Sequence, residues 1–104
     1  MELQAKQKRQ LKALAHSLKP TVIVGKQGVT DAIAKEIDRA LFDHELIKIK
    51  LPAEGPIPDQ ASALSAACGA HLISTQGRIA ILYKEHPEDP KIGMKSPRKA
   101  KRSH

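Results

Sequence analysis

Aromatic side chains are almost missing from this chain, which has one phenylalanine, Phe42, one tyrosine, Tyr83, and no tryptophan. A platform on which successive bases stack therefore cannot be assembled from it, and recognition of a nucleic acid would have to rest on phosphates, sugars and shape. Tyr83 reads as the last core-facing residue of its strand. Cysteine is equally scarce. Cys68 cannot make an internal disulfide, and its place after Ala66 and Ala67 suits a small buried apolar residue better than a reactive thiol.

Histidines are present but scattered, at His16, His44, His71, His86 and His104, and with a single cysteine they give no zinc-like spacing. No Ser-His-Asp or Cys-His arrangement stands out either. The expectation is a protein without catalytic activity, metal, cofactor or small-molecule substrate. No stretch has the length and apolarity of a signal peptide or a membrane span, so the reading is cytoplasmic, with no membrane partner.

What the chain has in excess is positive charge. Eighteen lysines and arginines against 11 acids give a formal charge of +7 over 104 residues. That favours a polyanionic partner and says little about fold. The charge is unevenly placed: residues 1–20 carry +4, residues 21–83 carry −1 and residues 84–104 carry +4.

Thr21 to Thr30 organises the rest. Val22, Ile23 and Val24 are β-branched and favour a buried strand. Gly25, Lys26, Gln27 and Gly28 follow as a glycine-bracketed loop, and Thr30 and Asp31 supply the cap and first-turn acid of a helix. Backbone N–H groups at such a strand-to-helix loop can hold phosphate. The spacing matches neither a dinucleotide fingerprint nor a P-loop. By itself it fits an empty turn as well as a clamp on single-stranded RNA.

Upstream, Leu11, Leu14, Ala15 and Leu18 follow helical spacing, predicting an amphipathic helix from Met1 to Leu18 that stops before Pro20. Lys8, Lys12, His16 and Lys19 stack on a neighbouring face, widened by Lys6 and Arg9, and only Glu2 offsets them. Downstream, Ile33, Ile37 and Leu41 predict a second helix over residues 30–42. Ile47, Ile49 and Leu51 alternate with Lys48 and Lys50 as in a half-buried strand. Pro52 to Pro58 reads as a loop, Asp59 to Cys68 as a third helix, and Gly69 as its stop. His71 to Gln76 and Ile79 to Tyr83 predict a hairpin with Arg78 near its tip. From Glu85 the periodicity is lost, so residues 1–84 read as one domain and residues 85–104 as a flexible basic tail. The expected class is α/β, in the order α-β-α-β-α-β-β, with one mixed four-stranded sheet packed by helices.

The runs AHSLKPTVIVGKQGVT (15–30), ALFDHELIKIK (40–50) and GRIAILY (77–83), with Gly69 and Ala70 between them, resemble the CRM domain, in particular its stand-alone bacterial YhbY type. The resemblance spans about Leu3 to Lys84. It implies a fold similar to the C-terminal domain of translation initiation factor 3 and RNA binding without catalysis; the expected state of the chain is a monomer. For bacterial members it further implies association with precursors of the large ribosomal subunit. Carried onto this sequence, the family's loop falls on Gly25, Lys26, Gln27 and Gly28, and its basic surface on the first helix and neighbouring strands. The expected RNA contacts are thus that loop together with Lys8, Arg9, Lys12, Lys19, Lys48, Lys50 and Arg78. A general DNA-binding, nucleoid-type protein using the same cations is the alternative.

Overall fold

The computed structural model describes residues 3–90 and 92. Its elements are α1 (Ala5–Ala15), β1 (Pro20–Ile23), α2 (Asp31–His44), β2 (Leu46–Lys50), α3 (Ile57–Cys68), β3 (His71–Gln76) and β4 (Ile79–Tyr83), in the expected order. The four strands form one mixed sheet in the order β1-β2-β4-β3. β1 runs parallel to β2, and β4 lies antiparallel between β2 and β3.

Alternation along the strands divides the core into two layers. Val22, Val24, Ile47, Ile49, Ala80 and Leu82 face α2 and α3, where they pack on Ile37, Leu41, Ala61, Leu64 and Cys68. Leu46, Ile81 and Tyr83 point the other way, beneath Leu11 and Ala15 of α1. β4 is covered on both faces, which accounts for its unbroken apolar run. Each fully buried Leu, Ile or Val contributes about 1.5–3 kcal/mol. The α2/α3 layer, with more such residues, dominates stability, and α1 is held chiefly by Leu11.

Several boundaries differ from the sequence reading. α1 ends at Ala15, before Leu18, and Pro20 opens β1 rather than following a longer helix. Leu11 and Ala15 are buried, but Leu14 is 49% exposed and Leu18 38%. So short a helix seats only the centre of its apolar stripe. Ile23 is 66% exposed, contrary to a wholly buried strand. It alternates onto the α1 side, at an edge strand that α1 does not cover. α3 begins at Ile57, so Pro58 belongs to its first turn, where a missing N–H costs nothing.

α2 opens with Thr30 Oγ1 accepting the Ile33 N–H at 3.2 Å. It closes at Glu45, whose N–H donates to the Leu41 carbonyl at 2.7 Å and whose φ is 66°. The Glu45 side chain is completely buried. One of its oxygens accepts the His86 N–H at 2.7 Å and the other the Ile92 N–H at 2.8 Å. Ile92 packs on the α1-side core. The described part of the segment after Lys84 is therefore tied to the domain by a buried carboxylate, and the rest of the basic tail read over residues 85–104 lies outside the described residues.

Candidate nucleic-acid interface

Three connections meet at the end of the sheet where β1, β2 and β3 finish. The Val24 N–H donates to the Lys50 carbonyl at 2.8 Å, and the Leu51 N–H to the Arg78 carbonyl at 2.7 Å. The Gly25–Gly28 loop, the exit of β2 and the Gln76–Arg78 turn are thus fastened side by side. That brings Lys26, Lys50 and Arg78 to one end of the molecule.

Within the loop, the Gly28 N–H donates to the Gly25 carbonyl at 3.0 Å, closing a tight turn. Gly28 has φ +77°, a conformation in which a side chain is strained. Gly25 is different. Its φ is not in that region, and a Cβ built on it would meet nothing within 4 Å. The fold therefore does not require glycine at 25, and the surface above it is open. The N–H groups of Lys26 and Gln27 have no intramolecular acceptor among the described residues. Two donors and an ammonium on a bare loop suit an anion. The end of α2 contributes less than its sequence suggests, because Thr30 already takes one of its N–H groups and Asp31 places a negative charge in the first turn.

A groove of about 570 Å³ lies between α1 and the sheet, lined by Arg9, Lys12, Ala13, His16, Lys48, Gln76 and Ile81. Arg9, Lys12 and His16 reach it because three- and four-residue steps return to one side of a helix. Lys48 enters from below, half-buried, its Nζ 3.5 Å from the His16 carbonyl at the negative end of α1. The face of β2 that carries Lys48 and Lys50 is thus roofed by α1 at Leu46 and lines the open groove at Lys48. Gln76 belongs to this wall and was not among the expected contacts; only the hairpin register brings it there.

Two expected contacts are less well gathered. Lys8 is exposed on α1 near His71, whose imidazole is held below its ordinary pKa by burial and then by neighbouring positive charge, including that of Lys8. Lys19 lies beyond the helix in a separate groove with Leu14, Leu18, Thr21, His44, Leu46 and Ile92, at the starting end of the strands. Five extended residues, Pro20 to Val24, separate it from the glycine loop, or roughly 16 Å.

Tyr83 is buried, as its place in the sequence suggested, and stacks with His71 at 6.3 Å between ring centroids. Among the described residues its hydroxyl has no hydrogen-bond partner. Burial first, then Glu85 and Glu45, push its pKa well above the ordinary tyrosine value. Cys68 is buried too, its Sγ 3.7 Å from the Ala34 carbonyl, and burial followed by Asp38 raises its pKa. Among the described residues no group of three His, Cys, Asp or Glu side chains is placed to hold a metal ion, and no helix is long and apolar enough to cross a membrane.

Fold and surface together define a small basic α/β domain with its free loop donors and many of its cations at one end and along one flank. The chain belongs to the CRS1/YhbY (CRM) domain family, whose model matches residues 3–84. It is 41% identical over 92 residues to Probable RNA-binding protein YqeI of Bacillus subtilis, covering 86% of this chain and 96% of the relative. It is 38% identical over 94 residues to a probable RNA-binding protein of Pseudomonas aeruginosa, covering 88% and 89%. The solution structure of a hypothetical protein from Staphylococcus aureus superposes with a TM-score of 0.75 at 33% identity, covering 85% of this chain and 94% of that one.

Proposed function

We propose that this protein binds RNA without catalysis and docks, as a monomer in the cytoplasm, on ribosomal RNA in precursors of the large ribosomal subunit, assisting its assembly. The observation that carries the reading is the Gly25–Gly28 loop, with two N–H donors that find no acceptor among the described residues, an exposed lysine and an open surface over Gly25. The groove of Arg9, Lys12 and Lys48 extends the same surface. Relatives named as RNA-binding proteins support RNA as the polyanion. Lys26, Lys48, Lys50, Arg9 and Lys12 take most of the phosphates, with Gly25, Gln27, Gly28 and Arg78 shaping the contact. Lys8 and Lys19 add long-range attraction.

If these five cations neutralise about five phosphates of a single strand, log affinity falls with log salt at a slope near −3.5. Replacing Lys12 and Lys48 together by alanine should flatten the slope by about 1.4. Fluorescence anisotropy across a salt series measures both. A flat response refutes the electrostatic contact, and equal affinity for duplex DNA and structured RNA of one length would point to a general DNA-binding protein instead.

A further inference from the structure

Phe42 is the chain's only phenylalanine, yet it is 55% exposed on α2. Burial would have removed roughly 150–250 Å² of ring from water, so its exposure calls for a reason. The imidazole of His86 packs on it, with ring centroids 4.3 Å apart and planes at 46°. His86 is itself fixed from three sides. Its N–H donates to the buried Glu45 carboxylate, and its Nδ1 accepts the N–H groups of Glu88 at 3.0 Å and Asp89 at 2.9 Å. That leaves Nε2 as the donor edge of a locked ring. The two rings line a cavity of about 450 Å³ on the face opposite α1, which Lys35, Arg39 and Lys84 share with Asp38 and Glu85.

We propose that this cavity is a second RNA contact, which takes one unpaired nucleobase against Phe42 and His86. The inference rests on the RNA-binding reading and extends it to a different part of the surface. Lys35, Arg39 and Phe42 recur at four- and three-residue steps along one outer stripe of α2, a helix that starts directly after the glycine loop. From Asp31 to Phe42 that stripe rises about 16 Å. A strand held at Lys26 can therefore run along α2 with phosphates beside Lys35 and Arg39 and a base over Phe42. Its three cations hold phosphates at the rim, while the paired rings give a base a face to stack on and the Asp38 carboxylate accepts from the base's amino groups. One aromatic cannot form a platform, but one ring locked against an imidazole serves a single base. His86 lies beyond residues 3–84, so the pocket is built partly outside the matched family domain.

The test compares wild type, Phe42→Leu, Phe42→Trp and Lys26→Ala by anisotropy against single-stranded oligoadenylate and against an RNA duplex of the same length. Leucine keeps apolar bulk at an exposed site and removes only the π face, and thermal melts check that it folds. Expected is a loss of about tenfold for Phe42→Leu on the single strand, none on the duplex whose bases are already stacked, and retention by Phe42→Trp. If Phe42→Leu binds the single strand within about twofold of wild type while Lys26→Ala is impaired, the pocket falls and the loop contact stands. Equal losses on both RNAs overturn it as well. Failure of wild type to bind either RNA would overturn the RNA-binding reading itself.

Discussion

Replacing Gly25 by alanine separates folding from binding. A methyl group there meets no atom within 4 Å, and the backbone is outside the left-handed region. Nothing in the folded state opposes it, while the unfolded chain loses freedom, so stability should hold or rise by about 0.4–1 kcal/mol. For a domain of this size that is an increase in Tm of up to about 8 °C. Binding should move the other way. If a phosphate approaches the Lys26 and Gln27 N–H groups over Gly25, as proposed, the methyl group obstructs it, and loss of one charge-assisted hydrogen bond costs about 1.5–3 kcal/mol. That is a weakening of roughly tenfold to 150-fold. Gly28→Ala is the contrast, because φ +77° makes it cost about 1–2 kcal/mol of stability before any effect on RNA. Thermal melts and anisotropy on the same preparations read both quantities. A Gly25→Ala protein as stable as wild type that binds RNA equally well would refute the loop contact.

The buried Tyr83 hydroxyl has no partner among the described residues, so Tyr83→Phe should leave stability unchanged or raise it by about 1 kcal/mol in urea unfolding; a loss of that size would mean the hydroxyl is satisfied. Glu45→Gln replaces an acceptor of two backbone N–H groups by a side chain with one acceptor oxygen, and should cost about 1–3 kcal/mol and raise amide exchange at His86 and Ile92 together. Because His71 has a depressed pKa, the unfolded chain binds a proton there that the folded protein refuses. Its contribution is intact above about pH 6.5 and is lost as pH falls below that, so the urea midpoint should drop between about pH 7 and 5 and drop less in His71→Gln.

The order of elements was legible because the main periodicities were unambiguous: four-residue steps through Ile33, Ile37 and Leu41, alternation through Ile47, Ile49 and Leu51, and glycines at the end of α3 and in the hairpin turn. The glycine loop was legible for the same local reason. What sequence could not show was tertiary. Lys48 and Lys50 share a strand face, but only the position of α1 decides that Lys48 lines a groove. Lys19 followed helical spacing from Lys8, yet the helix ends before it. Glu45 reads as an ordinary charge before a strand, and its two backbone partners lie 41 and 47 residues away. Phe42 and His86 are likewise distant in sequence, and no local pattern pairs them.

Docking on large-subunit precursors can be read by sedimenting ribosomal particles from a lysate on sucrose gradients at low and moderate salt and probing for wild type and for the Gly25→Ala/Lys26→Ala variant. Neither substitution removes a packing contact, so the variant should remain folded. Wild type should travel with large-subunit precursors, and the variant should stay at the top of the gradient. Wild type at the top, or both proteins moving together with the particles or with DNA, would overturn docking through the loop.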